Sequence, residues 1–263
     1  MDAIKNKLTT IAENEPKVYE AGKTSGEATI EQSQWNEFWD TFQTNGNRKS
    51  YAYCFQGGTW SDQTFKPKYD LKPTNATYMF AYNGHYDGAR LIDIKELLEE
   101  VGVTLDTSSC TNMTGFCYLA KSITRFPIIS HEGATNLNST FHQCTALKSI
   151  EKLILKADGT NTFQNNSYDR PFYSCSALEH MIVEGVIGKS NFNVQWSTKL
   201  DKESIVSIVN ALSPTTSGLT VTLSKTAVNN AFGINLDDVT TYPEGSEWYE
   251  LRNSKSNWTI DFA

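Results

Sequence analysis

Two stretches of ten residues decide the fold prediction, because they match each other without a gap. They read Phe141-His-Gln-Cys-Thr-Ala-Leu-Lys-Ser-Ile150 and Phe172-Tyr-Ser-Cys-Ser-Ala-Leu-Glu-His-Met181. Both follow the pattern F-x-x-C-x-x-L-x-x-(I/M). A third stretch, Thr114–Ile123, is aligned by its Cys and its final Ile, with its aromatic residue shifted to the position beside Cys117. A degenerate fourth begins at Tyr78.

The spacing of these stretches predicts the architecture. The steps between Cys117, Cys144 and Cys175 are 27 and 31 residues, within or just above the period of about 20–29 residues typical of leucine-rich repeats. A unit of this size cannot bury its own apolar face, so neighbouring units stack and share a core. We therefore expect an α/β fold, a short leucine-rich-repeat solenoid with an N-terminal helical module and a C-terminal cap.

The flanking segments divide the chain into four predicted parts. Residues 1–50 are expected to form a helical attachment or oligomerisation module, since Ile4, Leu8, Ile11 and Val18 make an apolar stripe. Residues 51–73 are an extended connector, residues 74–199 the solenoid, and residues 200–263 the cap. In the cap, Asp201 is expected to begin a helix, and an alternating strand follows at Leu219–Leu223. The stripe fits either docking on the same chain or self-association.

Composition excludes several classes of protein. The 263 residues include 23 Lys and Arg against 30 Asp and Glu, a net charge of −7, which disfavours nucleic acid as a partner. Mean hydropathy is −0.44, and no apolar run approaches the roughly 20 residues of a membrane span, so no membrane insertion is expected. Five Cys without a C-x-x-C pair argue against disulfides and a zinc ribbon. We expect five free thiols and no metal.

The ten-residue motif resembles the BspA-like leucine-rich repeats of bacterial surface proteins and of phage or prophage proteins of gut bacteria. The residues that carry the resemblance are Phe141, Cys144, Leu147, Ile150, Phe172, Cys175 and Leu178. The segment Leu200–Leu212 with Thr220–Leu223 is similar to the end of such repeat blocks, and the opening Ala3–Glu15 is similar to short prophage proteins. The resemblance implies a binding scaffold. The sequence opens without the signal peptide expected of an adhesin, which favours a virion component made in the bacterial cytoplasm.

The sequence predicts a binding role and no catalytic one. No nucleophile elbow, catalytic triad or convergent acid pair can be assembled, so we predict no enzymatic activity and no cofactor. Two polar-aromatic insertions suit recognition of sugars or peptides, since they combine rigid rings with short hydrogen-bonding groups. The candidate ligand-binding residues in them are Tyr82, His85, Tyr86, Tyr168, Asp169 and Arg170.

Together these observations predict a non-enzymatic phage or prophage tail-associated protein that presents its repeat surface to the host cell. The expected partners are a host-surface glycan or protein, other virion tail proteins through the N-terminal helices, and further copies of the chain. Its expected place is the virion, otherwise the cell surface. A bacterial adhesin and a purely structural virion subunit are the alternatives, and a cell-wall glycan hydrolase is disfavoured by the missing acid pair.

Overall fold

A computed structural model describes residues 67–84, 92–163 and 170–263. This part of the chain has a mixed α/β arrangement with two three-stranded parallel sheets and four α-helices. In chain order the elements are α1 (Ile94–Val101), β1 (Arg125–Ser130), β2 (Ser149–Ile154), β3 (His180–Glu184), β4 (Phe192–Asn193), α2 (Lys202–Ala211), β5 (Thr220–Leu223), α3 (Lys225–Phe232), a 3-10 turn (Val239–Thr241), α4 (Glu247–Asn253) and β6 (Thr259–Phe262). The predicted N-terminal module, residues 1–50, lies outside the described residues.

The first sheet has the order β1-β2-β3, with all strands parallel. Phe126 pairs with Ile150, and Ile150 pairs with Met181. All three side chains are buried, as expected for one face of a sheet that packs against a core. The final apolar position of the ten-residue motif therefore lies in a strand, where its side chain joins an inward column.

The other positions of the motif are buried as well. Each of the following side chains has no more than 1% of its surface exposed: Phe141, Cys144, Leu147, Phe172, Cys175 and Leu178. They belong to one hydrophobic cluster that also contains residues of both sheets and of α2. Equivalent positions of the two matching stretches are thus buried alike, as the sharing of one core by neighbouring units requires.

The expected alignment of the third stretch is wrong by three residues. The strand register sets Phe126, not Ile123, against Ile150, and the same offset of 24 residues sets Ala120 against Cys144. The thiols agree with this register, since Cys144 Sγ donates to the carbonyl oxygen of Cys117 and Cys175 Sγ donates to that of Phe141. Cys117 thus takes the place of Phe141, and the small Ala120 takes the place of the next cysteine.

The predicted leucine-rich-repeat solenoid is also wrong. The described strands form two separate three-stranded sheets, not a single sheet that continues through every unit. The first sheet stops at β3 because α2 covers its edge, where Ser204 and Ser207 accept hydrogen bonds from backbone N–H groups of β3. A further strand would need those same donors.

The second sheet has the order β4-β5-β6, again parallel. The sequence correctly predicted most of this region. Asp201 caps α2 by accepting a hydrogen bond from Ser204 N–H at 2.8 Å, and Ile205 and Ile208 of that helix are buried. The alternating pattern at Thr220–Leu223 is β5. Of the three strands in this sheet, β4 lies before residue 200 in the chain, and β5 and β6 lie after it.

Candidate functional site

A ladder of backbone hydrogen bonds joins successive turns of the chain on one side of the molecule. Tyr82 N–H donates to Tyr118 O at 2.7 Å, Leu119 N–H donates to His142 O at 2.8 Å, and Gln143 N–H donates to Tyr173 O at 2.7 Å. All three acceptor residues, Tyr118, His142 and Tyr173, carry an aromatic or imidazole ring. The ladder therefore brings rings together that are separated by more than twenty residues in the chain.

Left-handed backbone conformations accompany these rings. Leu119, Gln143 and Ser174 have φ of 57°, 58° and 56°, and each directly follows a ring residue of the ladder. Such angles are uncommon for residues with a Cβ and cost of order 1–3 kcal/mol each. The surrounding hydrogen bonds hold the chain in this conformation at equivalent places. Three equivalent turns therefore each place a ring on the same side of the molecule.

These rings contact one another in succession, and we call the arrangement the aromatic row. It runs through Tyr82, Tyr118, His142, Tyr173 and Trp196. The separations between successive ring centroids are 5.6, 5.2, 4.9 and 5.3 Å, within the range of favourable ring pairs. Tyr78 adds a further edge contact to Tyr118 at 6.0 Å.

His142 is the buried centre of the aromatic row. Only 3% of its surface is exposed, and its ring is stacked between Tyr118 and Tyr173 with interplanar angles of 20° and 14°. Its Nδ1 lies 3.3 Å from the carbonyl oxygen of Arg170 and its Nε2 lies 3.4 Å from Nε2 of Gln143. A neutral imidazole protonated on Nδ1 satisfies both contacts, because Nδ1 then donates and Nε2 accepts.

The remaining rings of the aromatic row reach the surface. Tyr82, Tyr118 and Tyr173 are half-buried, and Trp196 is 39% exposed. The row thus presents the indole ring of Trp196 and parts of three tyrosine side chains at the surface.

The six predicted ligand-binding residues fall into two groups. Tyr82 lies in the aromatic row through its contact with Tyr118, and Arg170 adjoins the row through its carbonyl group on His142. His85, Tyr86, Tyr168 and Asp169 lie outside the described residues. Both insertions are nevertheless close to the row in sequence. Gly84, in the first insertion, is two residues after Tyr82, and Arg170, in the second, is three residues before Tyr173.

Sequence reasoning missed Tyr118, His142, Tyr173 and Trp196. A signal for two of them was present in the ten-residue motif, where the residue after the first Phe is His142 in one copy and Tyr173 in the other. We treated that position as variable because it is not part of the apolar pattern. Correct alignment of the third stretch would have added Tyr118, which pairs with the same position.

A separate concavity of about 240 Å³ lies between α1 and β1. Its apolar lining includes Leu98, Leu105 and Ile128. The charged groups at its rim already neutralise one another, since Lys95 Nζ lies 2.7 Å from a carboxylate oxygen of Glu151 and 3.8 Å from one of Glu99. The concavity thus combines an apolar lining with a lysine that is already paired.

The buried thiols of the described core have raised pKa values. Burial raises the pKa of Cys110 to about 11 and of Cys175 to about 12, and it raises the pKa of Cys117 and Cys144 well above the usual value. These thiols therefore stay protonated at neutral pH, whereas a catalytic cysteine needs a lowered pKa. Among the described residues, no group of three or more His, Cys, Asp and Glu side chains converges in a way that would hold a metal ion.

Comparison with known proteins adds no relative. No family model, curated protein or solved structure matches this chain. None of the helices in the described ranges has the length and apolar character needed to cross a bilayer.

Proposed function

We propose that this chain is a non-enzymatic binding protein and that its ligand contacts the aromatic row. The observation that carries the proposal is the unbroken sequence of ring contacts from Tyr82 to Trp196, with centroid separations of 4.9–5.6 Å. Aromatic side chains supply large, rigid contact areas at low entropic cost, and Tyr and Trp are enriched at binding surfaces for that reason.

The exposure of Trp196 favours a binding role of the row over a purely structural one. Rings in the middle of the row pack against neighbours on both sides and so contribute to the stability of the turns. Trp196 ends the row, contacts Tyr173 with its ring inclined by 66°, and leaves 39% of its surface exposed. The exposed part of the indole stabilises nothing in the described fold, which favours a role in recognition.

The biological setting of the proposal comes from the sequence resemblance. The motif around Phe141 and Phe172 resembles repeats of phage and prophage proteins, and we propose a virion tail-associated protein that recognises the host cell. Its attachment to other tail proteins is assigned to residues 1–50. A bacterial adhesin is the second candidate, and immunogold labelling of purified virions and of whole cells separates the two.

Binding of fluorescently labelled protein to intact cells of a panel of gut bacteria tests the proposed surface. We expect Trp196→Ala and Tyr173→Ala to reduce binding at least about tenfold, as for aromatic residues at the centre of an interface. Tyr69→Ala is the matched control, since Tyr69 is also exposed, at 37%, and is not a member of the row. Circular dichroism and thermal unfolding confirm that each variant is folded. Equal binding by wild type and by both row variants would show that the aromatic row is not the contact surface.

A further inference from the structure

The concavity between α1 and β1 has an apolar lining that is open to solvent. The lining includes Leu98, Val103, Leu105 and Ile128, and Ile128 leaves 40% of its surface exposed. Covering such a lining is favourable, because apolar surface is removed from water. The concavity has a volume of about 240 Å³, whereas a cavity of roughly 150 Å³ accepts a benzene ring. It therefore has room for a large aromatic side chain.

The charges at the rim of the concavity favour an apolar occupant. Lys95 Nζ lies 2.7 Å from a carboxylate oxygen of Glu151 and 3.8 Å from one of Glu99. A cationic occupant would compete with Lys95 for these carboxylates, and an anionic one would compete with the carboxylates for Lys95. An apolar side chain displaces only water from the lining. The occupant is therefore expected to present an uncharged, apolar surface.

The first described residues adjoin one wall of the concavity. Leu71 N–H donates to Thr104 O at 2.8 Å, and Thr104 N–H donates to Asp70 Oδ1 at 2.9 Å. Leu71 pairs with Leu105 in a parallel bridge, and both Thr104 and Leu105 line the concavity. Because the pairing is parallel, the chain before Asp70 is directed toward Val103 and the C-terminal end of α1. The part of the chain that precedes residue 67 thus connects to the fold beside this concavity.

That preceding part contains a segment with a matching apolar face. Trp35, Phe38, Trp39 and Phe42 recur at the spacing of one face of a helix. An aromatic side chain buries about 150–250 Å² when it is packed, so four of them on one face need a partner surface. Residues 43–66 lie between this face and the first described residues. At up to about 3.3–3.6 Å per residue, they are long enough to let the face reach the concavity.

We propose that the aromatic face of residues 35–42 docks in the concavity between α1 and β1 of the same chain, with one of its rings beside Ile128. A tethered segment is present at a high effective concentration near its own fold, so it is favoured over the same segment of a second copy. The docking does not depend on the proposed function of the aromatic row.

The docking divides the work between the two apolar stripes of residues 1–50. The face of residues 35–42 holds this region on the described fold. The earlier stripe is then the one that serves attachment to other virion proteins or self-association, an assignment that rests on the proposed function. Its residues are Ile4, Leu8, Ile11 and Val18.

Hydrogen–deuterium exchange of the full-length protein, followed by mass spectrometry, tests the docking. Amide protons of residues 35–42 are expected to exchange slowly in wild type, because docking protects the helix. Ile128→Asp places a charge in the apolar lining and is expected to speed exchange in this segment at least about tenfold. Val103→Asp, at a second partly exposed lining position, is expected to act in the same way.

Val239→Asp is the matched control for these two variants. Val239 is 68% exposed and does not line the concavity, so its replacement is expected to leave exchange in residues 35–42 unchanged. Slow exchange in α2 shows that each variant is folded. Rapid exchange of residues 35–42 in wild type, or exchange that neither lining variant changes, would overturn the proposal.

Cross-linking shows which copy of the chain supplies the occupant. In the Cys54→Ser background the four described cysteines are buried, and Phe42→Cys combined with Ile128→Cys adds two thiols while three rings of the aromatic face remain. A short bis-maleimide is expected to join these two thiols within one chain, with a yield that does not depend on protein concentration. The control pair combines Phe42→Cys with Val239→Cys and is expected to stay unjoined.

The remaining outcomes separate this proposal from that of the aromatic row. A cross-linked product with the mass of two chains, whose yield rises with protein concentration, would show that a second copy fills the concavity and would overturn docking within the chain. Equal yields for the test pair and the control pair would overturn it as well. Ile128→Asp is expected to leave cell binding through the aromatic row unchanged, so the two proposals fail independently.

Discussion

The hydroxyl oxygen of Ser204 accepts a hydrogen bond of 2.8 Å from the backbone N–H of Met181. Through this bond a helix side chain takes the place that the carbonyl group of a fourth strand would occupy. Ser207, one turn later in α2, does the same for Val183 at 3.0 Å. The exposed edge of a sheet is a site for unwanted strand pairing, and these two serines close the edge of β3 with helix α2.

We predict that Ser204→Ala destabilises the fold by about 1–3 kcal/mol, because the buried N–H of Met181 is left without a partner. Both residues are fully buried, so water cannot replace the hydroxyl. Urea unfolding at equilibrium measures the loss. Ser176→Ala is the matched control, since Ser176 is exposed and its replacement is expected to change stability by less than about 0.5 kcal/mol. An unchanged unfolding midpoint for Ser204→Ala would show that this bond does not hold the edge.

Leu147→Ala is expected to lower the free energy of unfolding by about 2–5 kcal/mol, the range for a buried leucine whose removal leaves a cavity. Leu147 has no exposed surface and belongs to the main hydrophobic cluster. Val239→Ala provides the comparison, because Val239 is 68% exposed and its truncation leaves no cavity. Chemical denaturation of the two variants side by side gives the difference. Losses of similar size would contradict the assigned burial.

Stability is expected to fall as the pH drops below about 6.5, because of His131. This residue is fully buried, neither ring nitrogen has a hydrogen-bond partner among the described residues, and burial lowers its pKa to about 3. Below pH 6.5 the unfolded state binds a proton that the folded state does not bind until near pH 3. The contribution is therefore present above pH 6.5 and is lost at about 1.4 kcal/mol per pH unit below it.

A comparison of wild type with His131→Leu isolates this effect. Between pH 7 and pH 5, wild type is expected to lose about 2 kcal/mol more free energy of unfolding than the variant. His180→Gln serves as the control, since His180 is partly exposed and lies 2.7 Å from Asp201. Parallel pH profiles for wild type and His131→Leu would refute the prediction.

The four described cysteines are expected to be unreactive in the folded protein. Cys110, Cys117, Cys144 and Cys175 are free thiols and buried, and their raised pKa values leave almost no thiolate at pH 8. Cys54 lies outside the described residues, so the measurement uses the Cys54→Ser variant. Ellman's reagent at pH 8 is expected to label none of its thiols in buffer and four in denaturant. Rapid labelling in buffer, or stoichiometric zinc by elemental analysis, would contradict it.

Much of the C-terminal region was predictable from local sequence. Asp201 marks the start of α2 because its carboxylate caps the first turn, and β5 follows an alternating pattern. The apolar residues Trp248 and Leu251 fit helix α4 (Glu247–Asn253), and the alternation after Trp258 fits strand β6 (Thr259–Phe262). These signals depend on neighbours a few residues apart, which the sequence displays directly.

The candidate site was harder to predict from the sequence. Of its five rings, the sequence identified Tyr82 alone as a candidate, because the others occupy positions that an apolar pattern leaves undefined. Tyr118, His142 and Tyr173 become neighbours through backbone hydrogen bonds between distant turns. The error of three residues in aligning Cys117 hid the shared position of these rings, since Ala120 and Cys144 differ in sequence yet occupy the same place in the core.

The sequence by itself determined which side chains are buried. Phe141, Cys144 and Leu147 recur as Phe172, Cys175 and Leu178, and a chain that repeats its apolar positions must turn the same side inward each time. Only the tertiary structure decided how far the strand pairing extends and which rings meet at the surface. Both depend on partners more than twenty residues apart, such as Ser204 with Met181 and Tyr173 with Trp196. Local periodicity leaves such pairings open, because it sets the direction of a side chain and not the identity of its neighbour.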